Sequence, residues 1–239
     1  MLFYLYFNMN KYTKMNVLIV DVETTGFISS NPPTYITQLS FAVYDTELRE
    51  LIKTYNAFIK IPPNIIISDK ITEITGITRE KLDTDGIDIT EALEEFYDAY
   101  CRSDIIVAHN LSFDSKMIEI EATRNQAMFK NSELAFYIMR MFTTHSKLST
   151  LQLKCTMRKN IDLCNIQRIN SRGNTYKKFP TLSELYEKLF DVIPENLHNS
   201  MIDVLVCLRC YLKIDHDIDI SDSQFGTYII NSLNISITH

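Results

Sequence analysis

The stretch Val17-Leu18-Ile19-Val20-Asp21-Val22-Glu23-Thr24-Thr25-Gly26 is an apolar run that acquires two acids and then a turn signal. It is short for a helix, rich in branched residues and stopped by Thr-Thr-Gly, so it reads as a buried strand. Side chains alternate along a strand, which sends Asp21 and Glu23 to one side and Val22 to the other. Two carboxylates held side by side repel, and both stay ionised only where a cation or a ring of donors lies between them. The pair is either a solvated strand terminus or one part of a metal site. The second reading requires further acids delivered to the same place.

Composition sets the frame for that search. With 239 residues and 46% hydrophobic content, the chain can bury one substantial core, and one large domain is favoured over two. A net charge of -6 argues against a generally basic nucleic-acid coat protein, but does not exclude an enzyme whose acids hold cations that meet phosphate. Five cysteines, an odd number without a small secreted scaffold, point to a reducing, cytoplasmic compartment. Cys207-x-x-Cys210 has no second ligand pair nearby and lies in an apolar helical pattern, so buried thiols are favoured over a zinc or redox site. Residues 1–15 start apolar but lack a leading positive charge and a small-residue cleavage site; they read as an appendage, neither signal peptide nor membrane span. The main domain is expected over residues 16–213, with 214–239 as a C-terminal extension.

Beyond the first strand, residues 35–44 (YITQLSFAVY) and 55–61 (YNAFIKI) read as two more, the first introduced by Pro32-Pro33 and the second closed by Pro62-Pro63. Short connections make an antiparallel meander the simplest pairing. ITEITGI, residues 71–77, is a short helix or loop ending at Gly76. Leu93, Phe96, Tyr97 and Tyr100 recur at helical spacing, with Asp88 or Thr90 as cap. Ile105-Ile106-Val107-Ala108 is a continuous apolar run typical of a strand buried on both faces. A mixed α/β sheet flanked by helices follows.

Two further elements carry acids. His109-Asn110-Leu111-Ser112-Phe113-Asp114 comes directly after the buried strand and opens a helix marked by Met117, Ile118, Ile120 and Glu121. Asp114 there either complements the helix dipole or is a third carboxylate at the sheet end. His198-Asn199-Ser200-Met201-Ile202-Asp203 leads into another helix, with Met201, Val204, Leu205, Leu208 and Leu212 as its core stripe. Five residues on a helix span about 500°, so His198 and Asp203 converge only if His198 stays in the loop and Asn199 or Ser200 caps the helix.

Residues 154–178 carry Lys154, Arg158, Lys159, Arg168, Arg172, Lys177 and Lys178 against the single acid Asp162. This is either a solvated loop or a phosphate-steering arm, with Tyr176 and Phe179 among the cations. Thr181-x-x-Glu184 matches a capping box ahead of an apolar helix face. In the tail, Asp215, Asp217, Asp219 and Asp222 imitate a calcium loop only superficially, since Ile220 and Gly226 stand where glycine and glutamate belong. The tail is expected to lead into a late strand, FGTYII.

VDVETTGF, VAHNLSFD and HNSMID, in this order, resemble the DEDDh exonucleases of the DnaQ-like family, over residues 17–212. ITEITGIT is similar to the loop after that family's third strand, and FPTLSELYEKLF to the helix before its histidine. Ser200 departs from the alanine many members carry, and the basic insertion before Phe179 is a second departure. The resemblance implies a ribonuclease H-like fold with a five-stranded mixed sheet. It implies a 3′-to-5′ exonuclease releasing nucleotides singly from single-stranded or frayed ends. Two divalent cations, Mg²⁺ or Mn²⁺, would be held by Asp21, Glu23, Asp114 and Asp203, with His198 taking the proton of the attacking water. Thr24 and Gly26 would approach the terminal sugar, Phe27 and Phe113 the last bases, and Asn110 would support the site. DNA is slightly favoured, with a polymerase or other replication or repair partner in trans and no membrane. The alternatives are an RNA-trimming exoribonuclease and an idle module that grips nucleic-acid ends.

Overall fold

The computed structural model describes residues 14–28, 33–148 and 151–233, and residues 1–13 of the expected appendage lie outside them. The opening stretch is strand β1 (Asn16–Thr24), and Val17 to Val20 are almost wholly buried. It pairs antiparallel with β2 (Ile36–Asp45), which pairs antiparallel with β3 (Glu50–Phe58). The meander is as expected, but β3 begins at Glu50 and not at Tyr55. The turn is tight: Asp45 Oδ1 accepts from the N–H groups of Glu47 (2.8 Å) and Leu48 (2.9 Å), and Arg49 takes a left-handed φ of 58°.

Helices α1 (Asp69–Thr75), α2 (Arg79–Asp85) and α3 (Ile89–Cys101) follow. Gly76 ends α1 at φ 68°, and Asp88, not Thr90, caps α3 by accepting from the Thr90 N–H. The apolar run becomes β4 (Ile105–Ala108), buried throughout and parallel to β1. After α4 (Leu111–Arg124) and α5 (Ser132–Leu148), β5 (Gln152–Cys155) pairs parallel with β4, so the sheet order is β3-β2-β1-β4-β5. No strand was expected at β5, and only its last two residues, Lys154 and Cys155, fall in the segment read as a solvated loop or basic arm. Its first two residues are exposed, as suits an edge strand that takes its pairing from β4 and needs no apolar run.

The chain then forms α6 (Thr156–Lys159), α7 (Ile161–Cys164), a hairpin of β6 (Gln167–Ile169) and β7 (Thr175–Lys177), α8 (Leu182–Phe190), α9 (Ser200–Tyr211) and α10 (Asp222–Leu233). The capping box of α8 is present, with both bonds made. Helix α10 corrects the expected late strand. Phe225, Tyr228 and Ile229 recur at helical spacing and pack on the core beneath them, and burial of that face overrides the strand-like composition of FGTYII.

Two cores lie on opposite sides of the sheet. Leu18, Val20 and Val22 face α3, α4 and α5, while Val17 and Ile19 face α8, α9 and α10. From the segment expected as a C-terminal extension, Ile218, Ile220 and Phe225 are buried in the second core. This is the ribonuclease H-like architecture, and no helix among the described residues is long and apolar enough to cross a membrane.

Candidate active site

The period-two alternation of β1 decides where its acids go. Val20 and Val22 enter the first core, so Asp21 and Glu23 point to the side covered by α9. There the first turn of α9 carries Asp203, and single carboxylate oxygens of Asp21, Glu23 and Asp203 lie within 4.8 Å of one another. Among the described residues this is the one such cluster of three or more metal-ligating side chains. Asp114 stands outside this group. It is buried in the first turn of α4, and its Oδ1 accepts from the Val22 N–H at 3.3 Å, which ties it to the strand between the two acids.

The convergence of His198 with Asp203 takes the route required of it. Asn199 caps α9 by accepting from the Met201 N–H (3.1 Å), and His198 stays in the loop, exposed, with φ 72°. Its backbone N–H donates to Asp203 Oδ2 at 3.2 Å. The other oxygen, Asp203 Oδ1, is buried without a hydrogen-bond partner. A buried, unpaired carboxylate oxygen beside two more carboxylates is costly unless a cation is there, so these residues fit a divalent ion. An all-oxygen set suits Mg²⁺ or Mn²⁺ better than zinc.

The electrostatics agree. Burial, then the charges of Asp203, Asp114 and Glu23, raise Asp21 well above the usual carboxylate range. Burial, then Asp203 and Asp114, push Glu23 up to about 8. Burial also raises Asp114 to about 8 and Asp203 to about 7, against the backbone hydrogen bonds that lower each. Mutual repulsion of this kind is what a bound cation relieves.

The residues expected to meet substrate border this cluster in sequence. Thr24 Oγ1 donates to the Gly26 carbonyl (2.8 Å), Thr25 and Tyr35 exchange two bonds, and the Thr34 hydroxyl donates to the Phe27 carbonyl. Phe27 is 81% exposed, so it is not a core residue, whereas Phe113 is half-buried against the first core. Asn110 adopts φ 84° ahead of α4 and makes no side-chain cap bond; its Oδ1 accepts from the Ser112 hydroxyl.

Three features escaped the sequence reading. The Ser200 hydroxyl lies 2.5 Å from that of Ser40, in the middle of β2. Glu121, on the buried face of α4, accepts from the Ile36 N–H (3.0 Å) and from Arg124 (2.7 Å), and so secures the start of β2. Its spacing of three and four residues from Ile118 and Met117 was the available signal. His109 bridges Thr156 and Pro180. Elsewhere Asp215, Asp219 and Asp222 pair separately with Lys154 and Lys159, with Lys213 and with Arg209. Cys207 and Cys210 are free and buried, and burial pushes both thiols up.

Residues 18–211 match the family model RNase_T, described as an exonuclease. The chain is 32% identical over 196 residues to the PolC-type DNA polymerase III of Bacillus subtilis, covering 77% of this chain and 13% of that protein. For the PolC-type enzyme of Thermotoga maritima it is 33% over 103 residues, covering 43% and 7%. The chain thus spans a small fraction of the length of these relatives. Among solved structures, E. coli Exonuclease I in complex with a dT13 oligonucleotide superposes with a TM-score of 0.59 at 17% identity, over 85% of this chain and 42% of that one. A zinc-bound complex of the same E. coli enzyme with single-stranded DNA gives a TM-score of 0.59 at 15% identity, over 92% and 43%. At such identities the likeness establishes a shared fold.

Proposed function

This chain belongs to the RNase_T exonuclease family, and from that premise we propose that it is a metal-dependent 3′-to-5′ exonuclease releasing nucleoside monophosphates from single-stranded or frayed ends. The observation that carries the reading is the cluster of Asp21, Glu23 and Asp203 with its buried, unpartnered Asp203 oxygen. Asp21, Glu23 and Asp203 would hold divalent cations, Mg²⁺ or Mn²⁺, and Asp114, whose charge acts on Asp21, would contribute to a second ion. Such ions, when bound, supply a Lewis acid for the phosphodiester and lower the pKa of water.

The remaining work falls to the chain itself. His198, exposed on a loop that Asp203 positions, takes the proton from the attacking water. Thr24 and Gly26 meet the terminal sugar, the exposed Phe27 ring and Phe113 contact the last bases, and Asn110 braces the start of α4. DNA is favoured over RNA, a preference supported by relatives named as DNA polymerases and by the dT13 strand in Exonuclease I. The matched region of the PolC-type enzymes is a small part of a polymerase, which supports a replication or repair partner for this chain.

The test is a time course on 5′-labelled single-stranded DNA and RNA of matched sequence with Mg²⁺, Mn²⁺ or chelator. A metal-dependent ladder of shortening products, lost in Asp203→Ala, is the expected result, with DNA the faster substrate. A faster RNA ladder would reassign the substrate. Binding without turnover in either metal would overturn the enzyme reading.

A further inference from the structure

The insertion between β5 and α8 has both its roots fastened to one residue next to the acids. His109 directly follows β4 and precedes Asp114 by five positions. Its Nδ1 lies 2.9 Å from Thr156 Oγ1, just after β5, and its Nε2 lies 3.1 Å from the carbonyl of Pro180, just before α8. A carbonyl only accepts, so Nε2 carries the proton and Nδ1 accepts from the Thr156 hydroxyl. Because β1, β4 and β5 run parallel, residues leaving β4 and β5 emerge at the same end of the sheet as Asp21 and Glu23. The insertion therefore springs from the catalytic end of the molecule.

Its outer part is the β6–β7 ribbon, in which every residue from 167 to 177 is exposed. The tip is shaped locally: Asn170 Oδ1 accepts from the backbone N–H groups of Arg172 (2.9 Å) and Asn174 (3.0 Å), and Gly173 takes φ 80°. A two-stranded ribbon that enters neither core adds little to stability. Most of the segment's cations are already engaged. Lys154 and Lys159 meet Asp215, Lys177 meets Asp162, Lys178 meets Glu184, and Arg158 lies over the Phe179 ring. Arg168 and Arg172 have no ion-pair partner among the described residues. Arg168 stands directly opposite Tyr176 in the ladder, so a free guanidinium and a half-exposed ring share one face.

Resting on the exonuclease reading, we propose that this ribbon grips the single-stranded nucleic acid upstream of the 3′ end. Arg168 and Arg172 contact its phosphates, and Tyr176 stacks on a base. Guanidinium groups bind phosphate through paired donors, and aromatic stacking accepts any base, which gives sequence-tolerant hold on a strand that must move by one nucleotide per cycle.

The experiment measures binding of a fluorescent single strand of about 16 nucleotides in chelator across a salt series, for wild type, Arg168→Ala/Arg172→Ala, Tyr176→Ala and Arg168→Lys/Arg172→Lys. The double alanine variant is expected to bind about tenfold more weakly, with its log–log salt slope reduced by about 1.4, two phosphates' worth on a single strand. The lysine variant should regain the slope, and Tyr176→Ala should weaken binding with the slope unchanged. Equal affinity and slope in the double alanine variant would overturn the proposal, as would a wild-type dimer that this variant dissociates. Wild-type digestion run alongside tests the exonuclease reading separately, since loss of digestion with retained, ribbon-dependent binding sinks that reading and leaves the ribbon assigned.

Discussion

The backbone N–H of His198 donates to Asp203 Oδ2 at 3.2 Å, while Oδ1 of the same carboxylate is buried with no partner. One oxygen positions the histidine loop, and the other is left for a cation. Asp203→Asn keeps an acceptor for the His198 N–H, removes the charge and turns the unpartnered oxygen into an N–H donor facing Asp21 and Glu23. In chelator its thermal midpoint should equal or exceed that of wild type, because repulsion with Asp21 and Glu23 is relieved. Its midpoint should no longer rise with Mn²⁺, and metal-dependent digestion should vanish. A variant that still responds to Mn²⁺ would remove Asp203 from the ligand set.

His198 sits at φ 72°, a conformation that asparagine tolerates far better than most residues. His198→Asn should therefore fold normally and lose about 10²- to 10⁴-fold in turnover, the range for a missing general base. Strand affinity, measured in chelator, should change much less. Comparable losses in both would make the histidine a binding residue.

The acid cluster gives the metal-free protein a pH dependence of defined sign. Glu23 and Asp114 at about 8 and Asp203 at about 7 are raised above their unfolded values. Their stabilising contribution is complete at low pH and is lost as pH rises through the folded values. His109 works in the opposite direction: burial lowers it to about 4, so it costs stability only as pH falls below its ordinary 6.5. Above that point the acids dominate this balance. The melting midpoint in chelator should fall steadily between about pH 6.5 and 9, and saturating Mg²⁺ or Mn²⁺ should flatten the curve. A flat profile in chelator would mean that the carboxylates do not share one field.

Ser200, where the resembling family often has alanine, buries its hydroxyl against Ser40 at 2.5 Å. Ser40 in turn donates to Asn56 Oδ1 (2.9 Å), so the Ser200 hydroxyl is the donor to Ser40. Removing the two hydroxyls is then unequal. Ser200→Ala deletes a donor whose acceptor keeps another bond, and should cost no more than about 1 kcal/mol. Ser40→Ala strands a buried donor and should cost about 1–3 kcal/mol. Denaturant melts of the two variants check the order.

What could be read beforehand follows from where each signal lies along the chain. β1 and β4 are apolar runs that bury on both faces, and the acids after them sit at positions fixed by strand period or helix start. β5 gave no such signal, because Gln152 and Leu153 are exposed and the strand exists only by pairing with β4. FGTYII has the branched and aromatic composition of a strand, yet the second core receives Phe225, Tyr228 and Ile229 from a helix. The Ser40–Ser200 contact spans 160 residues, a distance at which no local pattern operates. Three of the four expected acids form the tight cluster; that Asp114 instead spends a lone pair on the Val22 N–H is a matter of tertiary placement.

Glu121 extends the site's control to the loop after β1. Its buried carboxylate holds the Ile36 N–H, Arg124 Nη1 and Asn125 Nδ2. Arg124 in turn donates to the Thr34 carbonyl (2.8 Å) and stacks over the Tyr35 ring at 3.8 Å. Tyr35 is paired with Thr25, and Thr34 with Phe27, so the chain from Glu121 ends on Phe27, proposed to contact the last bases, and on Thr25, which lies between the proposed sugar contacts Thr24 and Gly26. Glu121→Gln replaces one acceptor oxygen by a donor facing other donors and removes the charge opposite Arg124. The loss should be about 1.5–3 kcal/mol, or roughly 3–12 °C in melting midpoint for a domain of this size. If the clamp sets the loop, KM for a single strand should rise while kcat stays within a few-fold, since no acid of the cluster is touched. Arg124→Lys should reproduce the KM effect, because an ammonium cannot make both hydrogen bonds and the ring contact at once. A lower midpoint with unchanged KM in both variants would confine Glu121 to holding α4 against β2.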